Sequence, residues 1–74
     1  MAEFKFEIQE HLAQLSTNPK GWSKELTKVS WNEREPKYDI RDWSPDYTKM
    51  GKGLTFTVEE LRLLRESLNR MDLD

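Results

Sequence analysis

Seventy-four residues carry 12 Lys and Arg against 14 Asp and Glu, for a net charge of −2, with one His and no Cys. The hydrophobic and charged fractions are both 35%, which allows one domain over residues 1–74 with a small core. Disulfides and thiolate metal sites are excluded, and a lone His does not build a zinc site, so no metal or cofactor is expected.

Phe4, Phe6 and Ile8 alternate with Lys5 and Glu7 and predict a strand with one buried face. The pattern then changes parity to Leu12 and Leu15, which predicts a bulge or bend near Glu10 and His11. Thr17-Asn18-Pro19-Lys20-Gly21 is a turn. A second strand should run from Trp22 to about Trp31, its apolar residues Trp22, Leu26, Val29 and Trp31 again implying a parity slip. Lys24 and Lys28 share a face with Trp22 where that strand is regular. Asn32 to Pro36 is a loop, and Pro36 leads into a third strand from Lys37 to Trp43. Tyr38 and Ile40 form the side of this strand suited to a core, opposite Lys37, Asp39, Arg41 and Trp43. Ser44 to Gly53 is expected to be a long loop, followed by a short fourth strand, Leu54-Thr55-Phe56.

The last segment is a helix. Thr57 at the N-cap and Glu60 three residues on make a capping box, and Glu59 and Glu60 suit the positive end of the helix dipole. Leu61, Leu64, Leu68 and Met71 form one apolar stripe. The fold class is therefore α+β, a four-stranded antiparallel curved sheet followed by one C-terminal helix. One helix over one sheet leaves part of the stripe uncovered. A domain this short buries only about 60% of its unfolded surface, so a homodimer through the helices is expected.

Charge is unevenly placed. Residues 1–19 and 54–74 each sum to −2, while residues 20–53 sum to +2 and contain all three Trp. Cations interleaved with flat aromatic rings fit the phosphates and unstacked bases of a single-stranded nucleic acid. On this reading Lys24, Lys28, Lys37, Arg41, Lys49 and Lys52 are candidates for phosphates, and Trp31 and Trp43 for bases. Any one Trp is otherwise a space-filler, and any one Lys a solvated surface charge. Gly51 and Gly53 flank Lys52 and allow close backbone approach, but their spacing is not that of a P-loop. His11 has no nucleophile pattern around it, and the carboxylates show no acid–base spacing, so no enzyme and no small-molecule substrate are expected.

WSKELTKVSWN, EPKYDIRDWSPD and KMGKGLTFTVEEL, in this order of elements, resemble the transcriptional positive cofactor four superfamily of single-stranded DNA-binding proteins, especially its compact stand-alone microbial members. The likeness covers about residues 4 to 70, and its most specific pieces are Asp39-Ile40-Arg41 and Lys52-Gly53. The resemblance implies a coactivator-like homodimer joined by its helices, with curved sheets grooved for single-stranded DNA, little sequence preference and no catalysis. It also implies DNA contacts for Arg41, Lys52 and Lys49, with Trp31 and Trp43 near the family's aromatic positions. Glu33, Glu35 and Pro36 stand in the second hairpin where relatives carry Lys and Gly.

The function expected is sequence-tolerant binding of single-stranded DNA in transcription, replication or repair. The alternatives are a module that binds an acidic or disordered peptide, and a single-stranded RNA binder. No run nears the roughly 20 apolar residues of a membrane span. Met1-Ala2-Glu3 does not open a signal peptide, so a cytoplasmic protein is expected, nucleoid-associated if bacterial, without a membrane partner.

Overall fold

The computed structural model describes residues 5–74, so the expectation for Phe4 lies outside the described residues. Four strands come in order: β1 Phe6–Thr17, β2 Ser23–Trp31, β3 Lys37–Trp43 and β4 Met50–Phe56, then the helix α1 Val58–Arg70. The sheet order is β1-β2-β3-β4, and every neighbouring pair is antiparallel. The α+β architecture read from the sequence is the one observed.

Local chemistry fixes each connection. Asn18 closes the first hairpin: its Oδ1 accepts from the Lys20 and Trp22 amides at 2.9 and 3.0 Å. Gly21 at φ 86 supplies the left-handed residue that this turn requires. In the second hairpin Arg34 N donates to Trp31 O at 2.9 Å across Asn32 and Glu33, both with positive φ. That is a type I′ turn, whose twist matches the strands it joins. The third connection turns at Ser44-Pro45-Asp46-Tyr47, with Tyr47 N donating to Ser44 O at 2.9 Å. It is shorter than expected, because β4 begins at Met50 and takes in both glycines. Pairing of Arg41 with Gly53 and Trp43 with Met50 leaves Gly51 and Lys52 opposite Asp42, a bulge at the start of β4.

β1 is more bent than its sequence suggests, with register shifts at three places between Ile8 and Ser16. β2 shows no slip against β3; its pairs run without interruption from Ser23/Trp43 to Val29/Lys37. The apparent slip arose because β2 carries apolar residues on both faces, Leu26 on one and Val29 and Trp31 on the other.

The core lies on the face that the alternation assigned to solvent. Val29 and Trp43 are fully buried there, and so are Thr27 and Asp39. Phe6 on β1 reaches Trp43, two strands away, with ring centroids 5.4 Å apart, so the sheet curls over this side. Tyr38 and Ile40, expected on the side suited to a core, are only partly covered.

The helix begins as its sequence predicts. Thr57 Oγ1 accepts from Glu60 N at 3.1 Å, and Thr57 N donates to Glu60 Oε1 at 2.8 Å. No residue of α1 is buried. Leu61, Leu64 and Leu68 face Leu12, Leu26 and Tyr38 across an open apolar groove of about 520 Å³. Met71 follows the helix and is 53% exposed. No helix among the described residues is long and apolar enough to cross a membrane.

Candidate nucleic-acid interface

Arg41 occupies the centre of the sheet face turned away from the helix groove. Its guanidinium lies over the Trp31 ring, 4.6 Å from the ring centroid. Asp39, two residues back on the same strand and face, holds it from below in a bidentate pair. Nε to Oδ1 is 2.5 Å and the second nitrogen to Oδ2 is 2.7 Å. Thr55 Oγ1 adds a third donor to the Asp39 carboxylate at 3.1 Å. A buried carboxylate persists only when its lone pairs are met by fixed donors, and the planar guanidinium fork supplies two at once. A further guanidinium nitrogen approaches Met50 Sδ at 3.1 Å and Gly51 O at 3.4 Å.

β4 makes room for this arrangement. A Cβ at Gly53 would run into the Arg41 side chain and stand 2.6 Å from Ile40 O. The glycine thus lets an arginine lie flat across its neighbouring strand. The result is a cation layered on an indole, with the cation's charge largely cancelled by Asp39.

The register places the other candidates. Lys37 is exposed on the same face as Asp39 and Arg41, opposite Val29. Lys52 is exposed in the bulge opposite Asp42, which pairs with Lys24 on the other face, so it does not join Arg41. Lys49 is exposed on the loop beyond Trp43. Trp31 is partly exposed under Arg41, whereas Trp43 has no accessible surface. Trp43 is therefore a core residue in this chain and not a platform for bases, because Phe6 and Tyr47 close over it. Lys24 and Lys28 do not join the group. They alternate onto the opposite face, where Lys28 Nζ stands 5.7 Å from the Tyr38 ring centroid.

A second polar cluster escaped the sequence reading. Glu25 is buried on the same face, and its Oε2 accepts from Ser23 Oγ at 2.5 Å and Tyr47 OH at 2.6 Å. Oε1 meets His11 Nδ1 at 3.0 Å, tying β1, β2 and the third connection together. Burial pushes the Glu25 carboxyl up, but hydrogen bonds from Ser23, Tyr47 and His11 and the His11 charge outweigh it. They hold it below the ordinary 4.5. The Glu25 carboxylate raises the Tyr47 phenol above 10.0. Asp46, in the same connection, accepts from the Thr48 hydroxyl, the Thr48 amide and Ser44 Oγ, which hold its carboxyl at about 2. The only sequence signals for these partners are the two-residue spacings Ser23/Glu25, Asp39/Arg41 and Asp46/Thr48, which put side chains on one side of the chain.

Two outcomes follow from this geometry. Gly53→Ala drives Arg41 off Trp31 and costs about 1–3 kcal/mol, as overpacking does. The Trp31 indole resonance should move in a proton–nitrogen spectrum, and an unmoved indole would contradict the close approach. The second concerns acid. Glu25 and Asp46 are both more acidic folded than unfolded, so as pH falls the unfolded chain takes up protons first. Stability is level above that point and declines as pH drops from about 4.5 towards 2. Thermal melts across the window check this, and Glu25→Gln should flatten the upper part of the decline.

Residues 18–67, from the first hairpin turn into α1, match the family model described as Transcriptional Coactivator p15 (PC4). Over 72 residues the chain is also 53% identical to an uncharacterized protein of Treponema pallidum (strain Nichols). That alignment covers 97% of this chain and 85% of the relative, so it takes in β1 as well. β2, β3, β4 and most of α1, with Asp39-Ile40-Arg41 and the Gly53 crossing, stand within the matched segment, and the chain belongs to the transcriptional coactivator p15 (PC4) family.

Proposed function

We propose that this protein is a homodimer that binds single-stranded DNA on the Arg41 face and serves transcription in a coactivator-like role. The observation that supports the reading is the Arg41 guanidinium stacked on Trp31, with Lys37 exposed on the same face. Asp39 consumes most of the guanidinium's charge, so Arg41 acts as a flat surface for a base more than as a phosphate ligand. Phosphates fall to Lys37, with Lys49 at the end of the face. Stacking of a base on such a surface is indifferent to sequence and contributes about 1–3 kcal/mol.

The dimer is supported by what α1 leaves open. Leu63, Leu64 and Leu68 are 64%, 36% and 45% exposed, and Leu54 on the neighbouring strand is 67% exposed. Leucines this exposed on a chain with so small a core are suited to a second copy. Two copies joined there would keep both Arg41 faces outward.

Fluorescence anisotropy with an oligothymidine tests the binding. Each groove with two or three phosphate contacts gives a log–log salt slope of about −2. Single strands should be preferred over duplex, and Arg41→Ala should weaken binding by about tenfold or more. Salt-insensitive binding, or equal binding of duplex, would refute it. For the dimer, sedimentation equilibrium should give two chains, and Leu68→Asp should give one. A wild-type monomer at micromolar concentration would refute that part.

A further inference from the structure

Trp22 takes no part in the Arg41 face, yet it is neither buried nor loose. Asn18 fixes its backbone in both directions, accepting from Trp22 N at 3.0 Å and donating its own amide to Trp22 O at 2.8 Å. Beyond the Ser23/Trp43 pair, the first and third connections meet. A Cβ at Gly21 would stand 3.0 Å from Pro45 Cγ. Between these two loops lies a cavity of about 340 Å³ lined by Trp22, Ser44, Pro45, Asp46, Thr48 and Lys49.

Its chemistry is specific. Asp46 Oδ1 takes hydrogen bonds from Ser44 Oγ at 2.9 Å, Thr48 N at 3.1 Å and Thr48 Oγ1 at 2.7 Å, and the carboxylate also meets its own backbone amide. Among the described residues no other residue donates to Oδ2, and Lys49 forms no ion pair. The carboxyl is ionised at neutral pH. One wall is thus an indole, another an acceptor held in place by its own loop, and a third an unpaired cation.

We propose that this cavity takes one base of the bound strand and that it selects guanine. Trp22 stacks on the purine, Asp46 Oδ2 accepts from N1–H and the 2-amino group, and the Lys49 ammonium donates to O6. Guanine alone presents two adjacent donors next to a carbonyl acceptor on its pairing edge. Thymine offers a single N–H, and adenine and cytosine turn a bare ring nitrogen towards the carboxylate. Reading a base this way, by its pairing edge and an aromatic stack, is how unpaired strands are recognised with specificity. The inference rests on the single-strand reading above and adds a preferred register to otherwise sequence-tolerant binding.

Competition against a labelled oligothymidine tests it, using unlabelled oligothymidine and the same oligomer with one guanine walked along its length. In its best register the guanine should compete about tenfold better than thymine, the size of one well-made pair of base hydrogen bonds. Inosine in that register, which lacks the 2-amino group, should lose most of the gain, and adenine all of it. Asp46→Asn keeps an Oδ1 acceptor for Ser44 and Thr48 but replaces Oδ2 with a donor. It should abolish the guanine advantage and leave oligothymidine affinity unchanged. Oligothymidine binding without any guanine gain, or a gain that survives Asp46→Asn, overturns the inference alone. Failure of oligothymidine to bind overturns the single-strand reading beneath it.

Discussion

The pairing of Asp39 with Arg41 decides how this small sheet can be used. A carboxylate with no accessible surface would be untenable in so lean a core unless its charge were met at once by fixed donors. Arg41 meets it with two parallel hydrogen bonds, and the geometry of that fork dictates where the guanidinium plane must lie. It lies on Trp31. The same plane crosses β4, so β4 must have glycine at position 53. One ion pair thereby links three strands and fixes the plane of the guanidinium against Trp31. Replacing Arg41 by Lys would keep the charge and lose both the fork and the stack.

The two faces of the sheet have different assignments. One face carries the core residues Val29 and Trp43, the two internally satisfied carboxylates of Glu25 and Asp39, and the Arg41 surface. The other carries Leu26, Tyr38 and the open groove beneath α1. A helix with no buried residue contributes little to the stability of an isolated chain. Its apolar stripe has value only when something lies against it. The fold therefore divides its labour: an inner face that holds itself together, and an outer one suited to association.

Much of this was legible in the sequence, and the failures have physical causes. The limits of β3 and the start of α1 follow from strict alternation and a capping box, both of which act within a few residues. The buried face of β3 was read backwards because Asp39, Arg41 and Lys37 look like solvent-facing charges. Nothing local says that Arg41 will neutralise Asp39 so completely. Trp43 looked available because its covers, Phe6 and Tyr47, come from β1 and from the third connection. β4 was read as starting late because glycines at 51 and 53 usually break strands, whereas here Gly53 is required by a side chain on the next strand. Lys24 and Lys28 were placed with the site by strand geometry alone, on the face of Trp22, and register puts that face opposite Arg41.

The central claim is that an unpaired strand lies on the Arg41–Trp31 surface. A proton–nitrogen titration with a short oligothymidine, following indole and guanidinium resonances, tests it most directly. The account predicts that the Trp31 indole and the Arg41 Nε–H shift together while the buried Trp43 indole and the Lys28 amide stay still. Shifts centred on Lys24, Lys28 and Tyr38, with Trp31 and Arg41 unmoved, would contradict it.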